Sequence, residues 1–301
     1  AGMHLVESER GCHRKCTFCV MRRSTNDGMR LATPEAILAT VPDAAQRVGL
    51  VGAAVSDHPQ LVEIVESIVR SGRGVGLSSL RADRLSPELV ELLKQGGYQT
   101  LTVASDGASE RIRKQLEKVI REEHLWDAAR YVRDHGLRSL KIYMMVGVPG
   151  ETDQDIDELV RFCAEVSRVC RTAVGIAPFV AKRNTPLDRA PFAGIREVEA
   201  TLKRLQRDLR GAVELRPTSA RWAWVEWALA QGGFDMADAA EQAWQAGSGF
   251  AEWKRAIADH RRDEQPDDAA LRLGLPTGRF VDDLGYTSVR RGAPSVAPEI
   301  S

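Results

Sequence analysis

The run LKIYMMVGVPGETDQDIDELVRFCAEVSRVC, residues 140–170, reads as an apolar strand, a turn built from two glycines and a proline, and a long amphipathic helix. The same unit recurs on both sides of it. Expected strands cover residues 3–9, 48–54, 74–79, 99–104, 140–146 and 173–179, and expected helices cover 34–47, 59–71, 87–95, 122–135 and 153–170. Pro34, Pro59 and Pro87 open three of these helices, where the missing N–H has no intrahelical partner to lose. Strands that alternate with helices pair in parallel through right-handed crossovers, so the six units wind into an arc. The expected fold is α/β, a partial (β/α)6 TIM-like barrel over residues 1–190. After Pro191 helical runs dominate at 195–210, 219–230, 235–246 and 251–260, with one short β-prone run at 213–216. A helical C-terminal extension is therefore expected over 191–260, then an irregular, partly disordered tail over 261–301, charged at first and then rich in Pro, Gly and Ser. Trp224 and Trp227 share a helix face and read as core packing.

Chemistry in parallel barrels gathers in the loops that follow the strands. The first such loop holds Cys12, Cys16 and Cys19, spaced C-x3-C-x2-C, with Phe18 just before the last thiol. Three thiolates fill three corners of a 4Fe–4S cubane and leave one iron open to a further ligand. Together with His13 the same thiols form a donor set that zinc also accepts, although His13 directly follows Cys12 and closure around one ion is awkward. Cys163 and Cys170, seven apart on one helical face, read as core thiols.

The composition narrows the partners. With 301 residues and 43% apolar content the chain can bury a large core. Lys+Arg and Asp+Glu are both 42, so no general attraction to nucleic acid or to an anionic membrane follows. No apolar run reaches the ~18 residues a membrane helix needs, and no charged-then-apolar leader opens the chain. Five cysteines without a disulfide framework fit a reducing compartment, and a cytoplasmic location is expected.

The later loops read SDHP at 56–59, SLR at 79–81, ASDGASERIR at 104–113 with Lys118 following, GVPGETDQD at 147–155 and PFVAKRNTP at 178–186. In this order, behind the cysteine run, they resemble the radical S-adenosylmethionine (SAM) superfamily, in particular the methylthiotransferase- and Elongator-like barrels often fused to a cobalamin-binding domain. The resemblance spans residues 3–253. It implies a 4Fe–4S cluster on Cys12, Cys16 and Cys19, with SAM chelated to the fourth iron. It also implies reductive cleavage of SAM to a 5'-deoxyadenosyl radical that acts on a substrate the sequence does not identify; methyl and methylthio transfer belong to the same class. Carried over residue by residue, Ser56 and Asp57 with their backbone would hold the SAM amino group, Ser105 and Asp106 would reach the ribose, and Arg113 would pair with the carboxylate. Gly147 and Val148 would line the adenine, and Phe18, Ser79 and Arg81 would complete the SAM-binding set. The family's Pro-Glu after the fourth strand is Ser105-Asp106 here, one methylene shorter. Without the resemblance, Arg113 and Lys118 read as a solvated helix face beside a Glu110/Lys114 pair. The rival class is a non-catalytic iron–sulfur or zinc-binding scaffold on a degenerate barrel.

Arg10, His13, Arg14, Lys15, Arg22 and Arg23 crowd the cysteine loop. Their charge favours thiolates and an added electron, or forms a docking patch for a flavodoxin or ferredoxin-type electron donor. Cobalamin is expected only if a further domain precedes residue 1, because the chain carries no D-x-H-x-x-G loop.

Overall fold

The structure, a computed structural model, describes residues 2–21, 25, 28–78 and 80–260, and the backbone of 286–288. In chain order its strands are β1 His4–Glu7, β2 Glu9–Gly11, β3 Met29–Ala32, β4 Arg47–Val51, β5 Gly74–Leu77, β6 Thr100–Asp106, β7 Ser139–Val146, β8 Thr172–Pro178 and β9 Glu214–Pro217. Its helices are α1 Pro34–Ala39, α2 Leu61–Arg70, α3 Pro87–Gln95, α4 Glu110–Gln115, α5 Glu122–Asp134, α6 Asp153–Val166, α7 Ile195–Asp208, α8 Ala220–Gln231, α9 Asp235–Gln245 and α10 Phe250–His260.

β1, β4 and β5 pair in parallel in that order, and so do β6, β7, β8 and β9. A parallel bridge between Leu80 and Val103 joins the two groups into one open arc. The expected α/β barrel arc is present. Several details differ from the expected elements, among them a short helix over Glu110–Gln115 that was not expected. The first strand stops at Glu7, because Ser8 donates to Val51 O while its own carbonyl accepts from Ala32 N, which turns the chain out of the sheet. β2 then pairs antiparallel with β3, so the cysteine segment lies between the two arms of a ribbon. The helix expected over 34–47 ends at Ala39, with Pro42 shortly beyond to keep it from resuming. The β-prone run in the extension is β9, an edge strand in register with β8 (Ala173 opposite Glu214).

Each barrel strand sends alternate side chains outward. Val48, Leu50, Val75, Leu101, Val103, Leu140, Ile142 and Val174 are buried and pack in one continuous core with Ile64, Ile68, Leu93, Leu125, Val132 and Leu159 from the surrounding helices. Beyond the barrel, Val225, Ala228 and Ile257 form a smaller core with Trp224, Trp227, Phe250 and Trp253; the rings of Trp224 and Phe250 meet edge to face at 5.9 Å. Among the described residues no helix is long and apolar enough to cross a membrane.

Candidate functional site

The loops that carry the sequence motifs all leave the carboxyl ends of their strands, so they share one rim of the arc. The cysteine loop is strapped across that rim. Thr17 N–H donates to Leu116 O (3.0 Å), Leu187 N–H donates to Thr17 O (3.2 Å), and Phe18 packs against an apolar cluster of Ile112, Leu116, Val148 and Phe179. Arg14, between the first two cysteines, forks onto Asp57 with bonds of 2.9 and 2.5 Å. All five cysteines are free thiols. Burial pushes the Cys12 and Cys16 thiols up, and Lys118 pulls Cys16 back.

Asp57 is 1% exposed and faces three guanidinium groups: Arg14, Arg84 at 3.2 Å and Arg81 at 3.6 Å. Burial alone would raise its pKa, but these cations hold the carboxyl below the usual carboxylate range. Ser56 Oγ accepts from Arg81 N–H (3.1 Å), and Arg81 also pairs with Asp83 (2.7 Å). Asp57 is thus already engaged by Arg14, and within its turn Ala54 O accepts from Asp57 N–H (2.7 Å) and Val55 O from His58 N–H (3.1 Å). His58 is buried behind this turn with Nε2 at 2.9 Å from Ala32 O.

On the other side of the loop Asp106 stands at a left-handed φ of 65° and pairs with Lys118 at 2.5 Å. Arg113 is 2% exposed, so the solvated-face reading fails for it: its Nε donates to Ile120 O (3.0 Å) and its Nη1 reaches Ser105 Oγ and Gly107 O (3.4 Å each). Its Nη2 is buried with no partner among the described residues. Lys118, only 10% exposed, also leaves the solvated face. Gly147 has a φ of 74° and gives its N–H to Glu151 (2.6 Å), while Val148 is a buried apolar wall. Desolvation drives the Glu151 carboxyl up to about 7. Ser79, Arg22 and Arg23 lie outside the described residues. The sequence reading missed Glu9, wholly buried, whose carboxyl accepts from Ala54 N–H (2.5 Å) and is pushed up to about 7 by burial. Its place directly ahead of the Arg-Gly-Cys turn was the available signal.

The donor set suits a cluster. Three sulfurs, Cys12, Cys16 and Cys19, lie on one loop. A cubane would take one thiolate on each of three irons. The unpartnered Nη2 of Arg113 is a buried donor of the kind a carboxylate accepts. Cys163 is fully buried with its thiol pushed up to about 12 by desolvation, which leaves it a core residue.

A parallel arc with a three-thiol loop on its carboxyl rim defines a class of iron–sulfur barrels. Residues 6–163 match the radical SAM superfamily, and the chain belongs to it; the family implies a 4Fe–4S cluster and SAM. An uncharacterized protein of Methanocaldococcus jannaschii is 33% identical over 214 residues, 66% of this chain and 47% of that relative. The ribosomal protein uS12 methylthiotransferase RimO of Pseudothermotoga lettingae is 28% identical over 172 residues, 50% of this chain and 39% of its own. The chain thus spans less than half the length of these curated relatives. In fold it is similar to Streptococcus suis SuiB bound to precursor peptide SuiA, with a TM-score of 0.52 at 14% identity over 74% of this chain and 51% of that one.

Proposed function

We propose that this chain is the catalytic barrel of a radical SAM enzyme that reductively cleaves SAM and turns the resulting radical on a substrate held inside the arc. The observation that carries this reading is the three-thiol loop strapped across the carboxyl rim through Thr17 and Phe18, in a chain that matches the radical SAM family. A 4Fe–4S cluster on Cys12, Cys16 and Cys19 would supply the electron that opens the SAM sulfonium and releases the 5'-deoxyadenosyl radical. The chain's own residues bind and orient. Arg14 and Asp57 lock the loop to the 55–57 turn, Arg113 offers Nη2 to a carboxylate, and Val148 presents an apolar wall beside the Gly147 turn. The likeness to a methylthiotransferase supports group transfer as one outcome of the same radical chemistry. A mainly basic cleft of about 400 Å³, lined by His13, Arg14, Lys15, Lys114 and Lys118 together with Glu117 and Val119, supports docking of a flavodoxin or ferredoxin-type donor in a reducing, cytoplasmic setting. Barrel, cluster loop and SAM segments need no cobalamin to split SAM. The test is anaerobic reconstitution, then dithionite and SAM, with 5'-deoxyadenosine followed by mass spectrometry. A chain that takes up about four irons and forms no 5'-deoxyadenosine would sink the proposal.

A further inference from the structure

Barrels of parallel strands normally fill their interior with layers of Val, Ile and Leu. This arc does not. In the registered pairs of the inner face, Leu5, Gly49 and Gly76 form one row with the Met3 side chain over both glycines, while Ala104, Tyr143 and Gly175 form a row above Thr102, Lys141 and Ala173. The outer face of β7 is an ordinary core: Leu140, Ile142, Met144 and Val146 are all buried. Its inner face carries instead a tyrosine, 42% exposed, and a lysine on a strand paired on both sides. A Cβ on Gly175 would lie 3.0 Å from the Tyr143 ring, so the ring rests over a residue with no side chain of its own. Lys141 Nζ donates to Tyr143 Oη at 2.8 Å and stands 4.5 Å from the ring centroid. Among the described residues no carboxylate pairs with Lys141: Glu214, in its own row on β9, is taken by Arg216 of the Tyr143 row at 2.7 Å.

A mid-strand lysine with no carboxylate partner among the described residues, bonded to a part-exposed tyrosine on the inner face, has the donors of an anion site. The tyrosine hydroxyl accepts from the lysine and keeps its own proton to donate; the ammonium keeps two. Those donors suit the two oxygens of a carboxylate, and the single positive charge balances a monoanion better than a phosphate dianion. Met145, two residues further toward the rim, joins the apolar cluster that holds Phe18 of the cysteine loop, so the pair lies on the same strand face, below that loop. We propose that Lys141 and Tyr143 anchor the carboxylate of a small-molecule or side-chain substrate inside the barrel. The proposal deepens the radical SAM reading and rests on it only for what the radical then does.

The test uses the full chain labelled with 3-fluorotyrosine and followed by ¹⁹F NMR, with propionate and inorganic phosphate as separate probes at constant ionic strength. The resonance missing from Tyr143→Phe should move saturably with propionate and little with phosphate. In Lys141→Met the propionate affinity should fall about ten- to a hundredfold, and Lys141→Arg should recover part of it. An equal response to both anions, or an undiminished one in Lys141→Met, overturns the site. Should Lys141→Met fail to fold, line broadening of ¹³C-carboxyl propionate by wild type against Tyr143→Phe decides the same question, and equal broadening overturns it. Iron content and SAM cleavage are measured on the same preparations. A chain that binds propionate through Lys141 but cleaves no SAM breaks the radical SAM reading alone.

Discussion

Asp57 and Asp155 are both buried carboxylates bonded to arginine, and both are held below the usual carboxylate range despite their burial. Their partners set them apart. Asp57 ties together three loops, through Arg14 from between the cysteines and Arg81 and Arg84 from the segment after β5. Asp155 accepts from Thr152 N–H (2.8 Å), from Ser109 Oγ (2.5 Å) and from Arg111, so it joins the N-terminal caps of α4 and α6. Both residues sit in motif segments, yet only one borders the thiols. Similar electrostatics therefore serve a site in one place and a strut in the other, and the neighbours decide which.

The largest effect should fall on the thiols beside Asp57. Ala at Cys12, Cys16 or Cys19 should remove most of the iron and all SAM cleavage, while Cys163→Ala with Cys170→Ala should keep both, read by iron assay and product mass spectrometry. Iron lost with the second pair would move the site to α6. Asp155→Ala strips two caps and a charged bond, so chemical denaturation should report a loss of about 2–4 kcal/mol with SAM affinity per folded chain unchanged. Asp57→Asn should do the reverse. SAM affinity should drop roughly ten- to a hundredfold, corresponding to about 1.5–3 kcal/mol for a charge-assisted bond, and a chelator should strip iron faster. Equal changes in both variants on both measurements would erase the distinction.

The smallest effect is a pH slope that separates these aspartates from Glu9. Its carboxyl titrates at about 7 in the fold, against an ordinary glutamate in the unfolded chain, so the folded state holds the extra proton between those values. Stability should be greatest at the acid end of that window, fall by on the order of 1–3 kcal/mol as pH rises to about 7, and then level. Glu9→Gln should flatten part of the slope, with Glu151 carrying the remainder. The depressed aspartates act the other way and at lower pH, losing their contribution as pH falls through the acid range. A urea titration of wild type and Glu9→Gln at pH 5 and pH 8 that shows the same difference would remove Glu9 from this account.

Much of this was legible in the chain itself. Strand and helix periods are local properties, so the order of βα units, the cysteine spacing and the placement of every motif loop after a strand could be read from residues close in sequence. The kink at Ser8 could not, because it depends on Val51 O and Ala32 N, forty-three and twenty-four residues away. The run at 213–216 looked like an interruption among helices and became a sheet edge only because β8 offered an open side. Arg113 read as a surface residue from its helix neighbours, and its burial is set by Ser105, Gly107 and Ile120 folding over it. The sequence by itself determined which chemistry the rim can carry, since thiol spacing and motif order are one-dimensional. Only the tertiary structure decided which charges meet, that Arg14 takes Asp57, Lys118 takes Asp106 and Lys141 takes no carboxylate among the described residues, because burial and pairing are properties of space across strands.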